Sequence, residues 1–292
     1  MARTCVIFNP SARGEKSRRL RRFLESRAGR QVTLVPTQQP GDATRLAAEG
    51  LATGHDIIVA AGGDGTINEV VNGFAGHDAT FGVLPLGTAN VFARELNIPL
   101  NLQAAWATLE RGATRQIDLG VATFGGQQRF FAQLAGVGLD GRAVRRVNRQ
   151  LKKQIGPFSY LWAGLVALRD QKDDVEVVAE DGGVTARGVA VLIGNGRFYG
   201  GPFHLFPDAR LDDGLLDVCV FERAGYFHAM RYGLGVLRGA HTRQRGVRYF
   251  RSARFVCRAV SSAPLQLDGE DAGDAPVEFR VWARALRVIV PA

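Results

Sequence analysis

The sequence predicts two domains of different class, an α/β layer structure followed by a β-rich one, and three observations carry that expectation. Short apolar runs alternate with helical segments over the first 115 residues or so. After that, β-like runs punctuated by Gly and Asp dominate. At 292 residues and 46% hydrophobic, the chain also has apolar material for two cores. Strands alternating with helices imply a mainly parallel sheet covered on both faces. The expected boundaries are 1–118 for the α/β domain, with 284–292 returning to it, and 119–283 for the second.

Taken in order, residues 6–8 read as a strand ending in Asn9-Pro10, and residues 15–26 as a basic amphipathic helix with Leu20, Phe23 and Leu24 on one face. A second strand is expected at 32–35 and a helix begun by Asp42 at 42–51. Residues 56–61 (DIIVAA) form a buried strand running into Gly62-Gly63, followed by helix at 66–73, strand at 81–84 and helix at 102–111. In the second half, 117–124, 130–135, 175–179, 186–193, 215–221, 254–259 and 277–281 have β character, with a helical insertion around 141–171. The final apolar run, 286–290, is expected to pack on the first domain.

Charge is unevenly placed. The net charge is +9, and only four of the 37 cationic residues are Lys. Residues 142–153 hold six cations and residues 230–258 eight Arg, with no acid in either stretch. Such clusters favour an anionic partner, or form a solvated basic face. No nucleic-acid recognition motif accompanies them, so nucleic acid is not expected as a partner. Cys5, Cys219 and Cys257 are odd in number, far apart and without metal-ligand spacing, which predicts buried reduced thiols. The uncharged stretch 154–168 is shorter than a membrane span of roughly 18 apolar residues. The N-terminus has no signal-peptide pattern, so a soluble, cytoplasmic protein is expected.

The strongest local signal is Gly62-Gly63-Asp64-Gly65-Thr66, directly after a buried strand. Adjacent glycines let the backbone turn sharply and approach a bulky anion. The following helix presents N–H groups to phosphate oxygens. Asp64 stands where a carboxylate can hold Mg²⁺ or orient a hydroxyl, and Thr66 suits the helix start. The alternative is a Gly-rich strand–helix turn with Asp64 as a cap. A second turn, Leu84-Pro85-Leu86-Gly87-Thr88-Ala89-Asn90, follows the next strand, at the edge where open α/β sheets bind ligands. Asn9, Ser11 and Arg13 follow the first strand in the same manner.

These segments, together with Gly136-Val137-Gly138-Leu139-Asp140, Ile193-Gly194-Asn195-Gly196, the run from Pro207 to Val218 and Leu267-Asp268-Gly269-Glu270, resemble the diacylglycerol kinase catalytic-domain family. The likeness is to its bacterial lipid kinases of the YegS type and their sphingosine kinase relatives. It implies an N-terminal doubly wound α/β nucleotide-binding domain and a C-terminal β-sandwich, with ATP and acceptor meeting in the cleft between them. Asn9, Thr37, Gly62, Gly63, Asp64, Gly65, Thr66, Asn68 and Thr88 would then bind ATP. Asp64, Asp268 and Glu270 would be catalytic, with Glu270 favoured over Asp268 as the base. Asp213, with the carbonyls of Arg210 and Leu215, would hold a metal. Val91 replaces an acidic residue that many relatives carry after Asn90.

The resemblance thus implies an ATP- and Mg²⁺-dependent kinase acting on a lipid hydroxyl. A kinase of a soluble acceptor such as NAD and a non-catalytic lipid- or nucleotide-binding protein are the alternatives. Phe158–Trp162 and the flanking Arg145, Arg146, Arg149, Lys152 and Lys153 are expected to meet lipid, with peripheral contact at the inner membrane face, or else to form a packed helix with a solvated basic turn. A homodimer is a candidate assembly.

Overall fold

The computed structural model describes residues 2–10, 15–27, 29, 31–146, 174–180, 185–259 and 262–292. They divide into two compact units, Met1–Ile117 with Arg284–Ala292, and Asp118–Ala283.

The first unit runs β1 (Thr4–Phe8), α1 (Glu15–Glu25), β2 (Val32–Pro36), α2 (Asp42–Ala52), β3 (Ile57–Gly62), α3 (Asp64–Phe74), β4 (Thr80–Pro85), α4 (Val91–Glu95) and α5 (Leu102–Arg111). Its strands lie in the order β2-β1-β3-β4, all parallel. The final stretch of the chain adds to β4, with Val288 opposite Phe81. β1, β3 and β4 are almost wholly buried, as expected for strands covered on both faces. Ile67, Val70, Val71 and Phe74 of α3 and Ala43 and Ala47 of α2 supply part of that cover.

The second unit contains most of β5 (Ala113–Phe124), then β6 (Gln127–Phe131), β7 (Leu134–Gly138), α6 (Leu139–Arg146), β8 (Val175–Ala179), β9 (Thr185–Gly188), β10 (Ala190–Gly194), β11 (Phe198–Tyr199) and β12 (Phe203–His204). It continues with β13 (Leu216–Phe221), α7 (Tyr226–Leu237), β14 (Val247–Ser252), β15 (Arg254–Ala259), β16 (Pro264–Leu267), β17 (Glu270–Asp274) and the first part of β18 (Val277–Val290). One antiparallel sheet has the order β14-β13-β10-β7-β16-β17. A second joins β18, β15, β8 and β9, with β5 pairing β18 and β6. Both contribute to one core: Val191, Ile193, Val218 and Val220 from the first sheet pack with Val175, Val177, Phe255 and Phe279 from the second. The alternate residues Ala190, Leu192, Cys219 and Phe221 form a further apolar layer with Phe206 and Tyr232. A period of two feeding two layers is the mark of strands buried on both faces. The fold is an α/β domain plus a β-sandwich.

Several elements differ from the sequence expectation. Helix α3 starts at Asp64 rather than 66, with Gly63 as its N-cap, so Thr66 sits inside the first turn. The run 130–135 splits into β6 and β7, because the amides of Ala132 and Gln133 donate to the Asp268 carboxylate instead of continuing one strand. The run 186–193 changes sheets at Val189, with β9 pairing β8 and β10 pairing β7 and β13. Residues 277–281 and 286–290 belong to one strand, with Arg284 at φ 53 along it. Helix α7 was not expected. The proposed insertion beyond residue 146 lies largely outside the described residues.

Candidate active site

In the first unit, register places four turns along one sheet edge. Phe8 lies beside Pro36 and Ala61, and Gly62 beside Pro85. Asn9, Thr37, Gly63 and Leu86 therefore all follow directly from carboxyl ends of parallel strands. Backbone bonds bind these turns together: Asn9 N–H donates to the Ala61 carbonyl at 3.3 Å, Thr37 to Phe8 at 2.9 Å, and Leu86 to Gly62 at 2.8 Å. The strand order reverses between β1 and β3, and that switch point is where open α/β sheets leave a crevice for ligands.

The Gly-rich turn is shaped by close approach. A Cβ on Gly87 would lie 2.7 Å from the Gly63 Cα, and one on Gly62 would lie 2.5 Å from the Thr66 hydroxyl oxygen. Only glycines allow the two turns to sit this close. Asp64 opens helix α3, and its carboxylate accepts the Phe92 amide at 3.3 Å, which ties the first turn to helix α4. Gly65 and Thr66 lie in the first turn, whose amides have no intrahelical acceptors. Asn68 is buried one turn further along and accepts from Asn72 through both its carbonyl and its side-chain oxygen. Thr88 is exposed.

Asn90, the last residue of the second turn, is committed to the turn itself. Its φ is 49, and its side chain accepts from the Gly87 amide at 2.8 Å and donates to the Gly87 carbonyl at 2.9 Å. Val91 is buried as the first residue of α4, so this position offers apolar packing.

In the second unit, Asp268 is built into the backbone. At φ 47, its carboxylate accepts the amides of Ala132, Gln133 and Leu134 at 2.8, 3.0 and 2.9 Å. Glu270, two residues on at the start of β17, is half-buried and lies 3.9 Å from the Arg129 guanidinium. Asn195 carries the same loop from beneath: its amide nitrogen donates to the carbonyls of Ala132 and Asp118 at 2.8 and 2.9 Å.

The loop expected to hold metal is ordered by side chains. Asp213 accepts from the Leu215 amide at 3.2 Å and pairs with Arg251. Arg251 also reaches the buried Asp217, at 3.3 Å, which accepts from the Tyr249 hydroxyl. Asp118 takes the Gly214 amide at 2.7 Å. One carboxylate and two carbonyls, those of Arg210 and Leu215, are suitable hard donors for a divalent ion. The Arg251 guanidinium lies against the Asp213 carboxylate and is shared with Asp217. Among the described residues no three His, Cys, Asp or Glu side chains converge as a metal-holding group.

Two further groups take part in networks that the sequence reading did not show. Asp140 is buried at the start of α6, accepting from the Tyr199 hydroxyl and from Gln266 at 2.7 Å. Burial pushes its carboxyl above the usual range, against the pull of those two bonds. Arg145, expected to face lipid, is instead held by Asp271 at 2.9 Å, the Gly273 carbonyl at 2.6 Å and Asp274 at 3.3 Å. Ser11, Arg13, Arg149, Lys152, Lys153 and the Phe158–Trp162 segment lie outside the described residues.

A model of the diacylglycerol kinase catalytic domain matches residues 3–122, and one of the YegS C-terminal NAD kinase beta sandwich-like domain matches residues 133–290. A diacylglycerol kinase of Bacillus subtilis strain 168 is 35% identical over 299 residues, covering 100% of this chain and 97% of the relative. This chain belongs to the diacylglycerol kinase catalytic-domain family. Another relative named diacylglycerol kinase, from Staphylococcus aureus strain MRSA252, is 31% identical over 99% of this chain and 92% of its own. Among solved structures, a diacylglycerol kinase from Bacillus anthracis strain Sterne has the same fold, with a TM-score of 0.78 at 23% identity over 99% of this chain and 97% of that one. No helix among the described residues is long and apolar enough to cross a membrane.

Proposed function

We propose that this chain transfers the γ-phosphoryl group of Mg·ATP to a hydroxyl of diacylglycerol or a related lipid. Lipid kinase activity as such follows from family membership, since full-length relatives at 30–35% identity carry the diacylglycerol kinase name. The single observation that carries the nucleotide assignment is the alignment of the Asn9, Thr37, Gly63 and Gly87 turns along one carboxyl edge, beside the first turn of α3. Asn9, Thr37, Gly62, Gly63, Gly65, Thr66, Asn68 and Thr88 are assigned to ATP on that basis. The α3 amides suit phosphate oxygens, because a helix start combines N–H donors with the positive end of the helix dipole.

In the transfer, the acceptor oxygen bonds to the γ-phosphorus while the bond to the β–γ bridging oxygen breaks, and ADP leaves. The hydroxyl proton passes to a carboxylate, which we assign to Glu270. Asp268 is a positioning residue in this scheme, since three amides occupy its oxygens. Asp64 stands by the phosphates and orients their Mg²⁺, the metal that arrives with the nucleotide. Positioning and charge neutralisation account for most of catalysis in such reactions. We derive no step from a cation at Asp213.

The test is transfer from labelled ATP to dispersed diacylglycerol, with NAD in a parallel reaction. The expected result is labelled lipid from the wild type and none from Asp64→Asn, with an unchanged melting temperature. Retention of most activity by Asp64→Asn would remove the site. Labelled NAD instead of lipid would favour the soluble-acceptor reading, which the NAD kinase-like description of the second domain motivates. ATP binding without transfer to either would favour a non-catalytic protein.

A further inference from the structure

Asp140 and Gln266 form a buried polar pair whose bonds end at the turn that carries Glu270. Gln266 sits in β16 directly opposite Gly136 of β7. A Cβ at position 136 would overlap the Asp140 carboxylate, so the glycine leaves the space through which that carboxylate reaches Gln266. Gly141 likewise admits α6 against β16, since a Cβ there would run into the Pro264 carbonyl. Only 1% of the Gln266 surface is exposed.

The Gln266 amide has one orientation that serves both neighbours. Its nitrogen donates to Asp140 at 2.7 Å, and its oxygen accepts the Gly269 amide at 2.8 Å. Turned over, it would set oxygen against carboxylate oxygen and its own N–H groups against an N–H. Asp140 is fixed in turn by the Tyr199 hydroxyl. Asp268 and Gly269, at φ 47 and 84, make the two-residue turn between β16 and β17, with Leu267 opposite Glu270. That turn is gripped twice. The Asp268 carboxylate holds the amides of Ala132, Gln133 and Leu134, and Gln266 holds the Gly269 amide. Gln133 closes the ring, donating at 3.2 Å to the carbonyl of Phe198, the residue before Tyr199. Bonds screened from water in this way are strengthened by the low local dielectric and favour one backbone arrangement.

We propose that Gln266, oriented by Asp140, is a positioning residue for phosphoryl transfer. It fixes the Gly269 amide and thereby the place of Glu270, the next residue along. This role rests on Glu270 as the base of the proposed reaction. Misplacing a reacting group by about 1 Å can cost about 100-fold in rate, so a remote amide can matter this much.

Gln266→Met keeps the length of the side chain and removes both bonds. It should lower kcat for diacylglycerol about 10- to 100-fold with KM for ATP unchanged. In a Glu270→Gln background the same substitution should change kcat less than about twofold, because an absent base cannot be misplaced. Asp140→Leu should behave like Gln266→Met, whereas Asp140→Asn, whose oxygen still accepts from Gln266, should recover most of the loss. Equal fold-losses from Gln266→Met in the two backgrounds assign the pair to folding alone and overturn the proposal. Wild-type kcat in Gln266→Met beside a slow Glu270→Gln also overturns it and leaves the base standing. Full kcat in Glu270→Gln refutes the base itself, and this role with it. Amide exchange, followed by NMR on protein labelled at glycine nitrogen, reads the geometry without turnover. The Gly269 amide should be protected in the wild type and exchange about tenfold faster in Gln266→Met. An unprotected Gly269 in the wild type overturns the proposal whatever the activity.

Discussion

Asp268 and Glu270 are two positions apart and both acidic, yet their surroundings separate them. Asp268 gives its oxygens to three backbone amides, whereas Glu270 faces one guanidinium at 3.9 Å. Substitution should therefore split their effects. Asp268→Asn should cost about 2–3 kcal/mol of stability, because three part-buried donors lose a charged acceptor. Glu270→Gln should leave the melting temperature near wild type and lower kcat by at least about 100-fold, the scale of a general base. Thermal melts and transfer assays on both variants check this; a Glu270→Gln enzyme with full kcat would move the base elsewhere. The sequence set these residues in one short segment and preferred Glu270. It could not show that Asp268 closes a turn, because the three amides come from residues some 135 positions earlier.

At the scale of elements, local pattern was readable where an element's own residues decide it. The strand DIIVAA, the Gly62-Gly63 turn and helix α5, capped by Asn101, follow from propensity and spacing. Helix α7 was not readable, because Gly233 and Gly235 argue against a helix and its stability comes from Tyr232 packing in the sandwich layer. The split of 130–135 was hidden for a similar reason, a distant carboxylate. Helix α6 carries a measurable consequence of its buried first turn. The Asp140 carboxyl titrates above its unfolded value, so between the two values the folded chain holds more protons than the unfolded one. Its contribution is full below the unfolded pKa of about 3.9 and is lost as pH rises through the raised one. The stability difference between wild type and Asp140→Asn, measured by denaturant titration, should fall over that window. A difference constant with pH would contradict the assignment.

At the scale of the whole molecule, the division of the chain is not sequential. The first unit takes Arg284–Ala292 as well as residues up to Ile117. Truncation after Ala283 removes Val288 from beside Phe81 and Leu286 from the buried core. An unpaired, apolar β4 is then a template for association with other chains. The truncated protein is expected to partition into the insoluble fraction on expression, whereas removal of Ala292 alone should not; equal solubility would show the last strand segment to be dispensable. The same route of the backbone bears on how the protein is made. A ribosome emits residues in order, so the sandwich is complete in sequence while the α/β layer still waits for its final nine. Folding during synthesis should thus finish at the beginning of the chain, once residues 284–292 emerge, with the middle already in place.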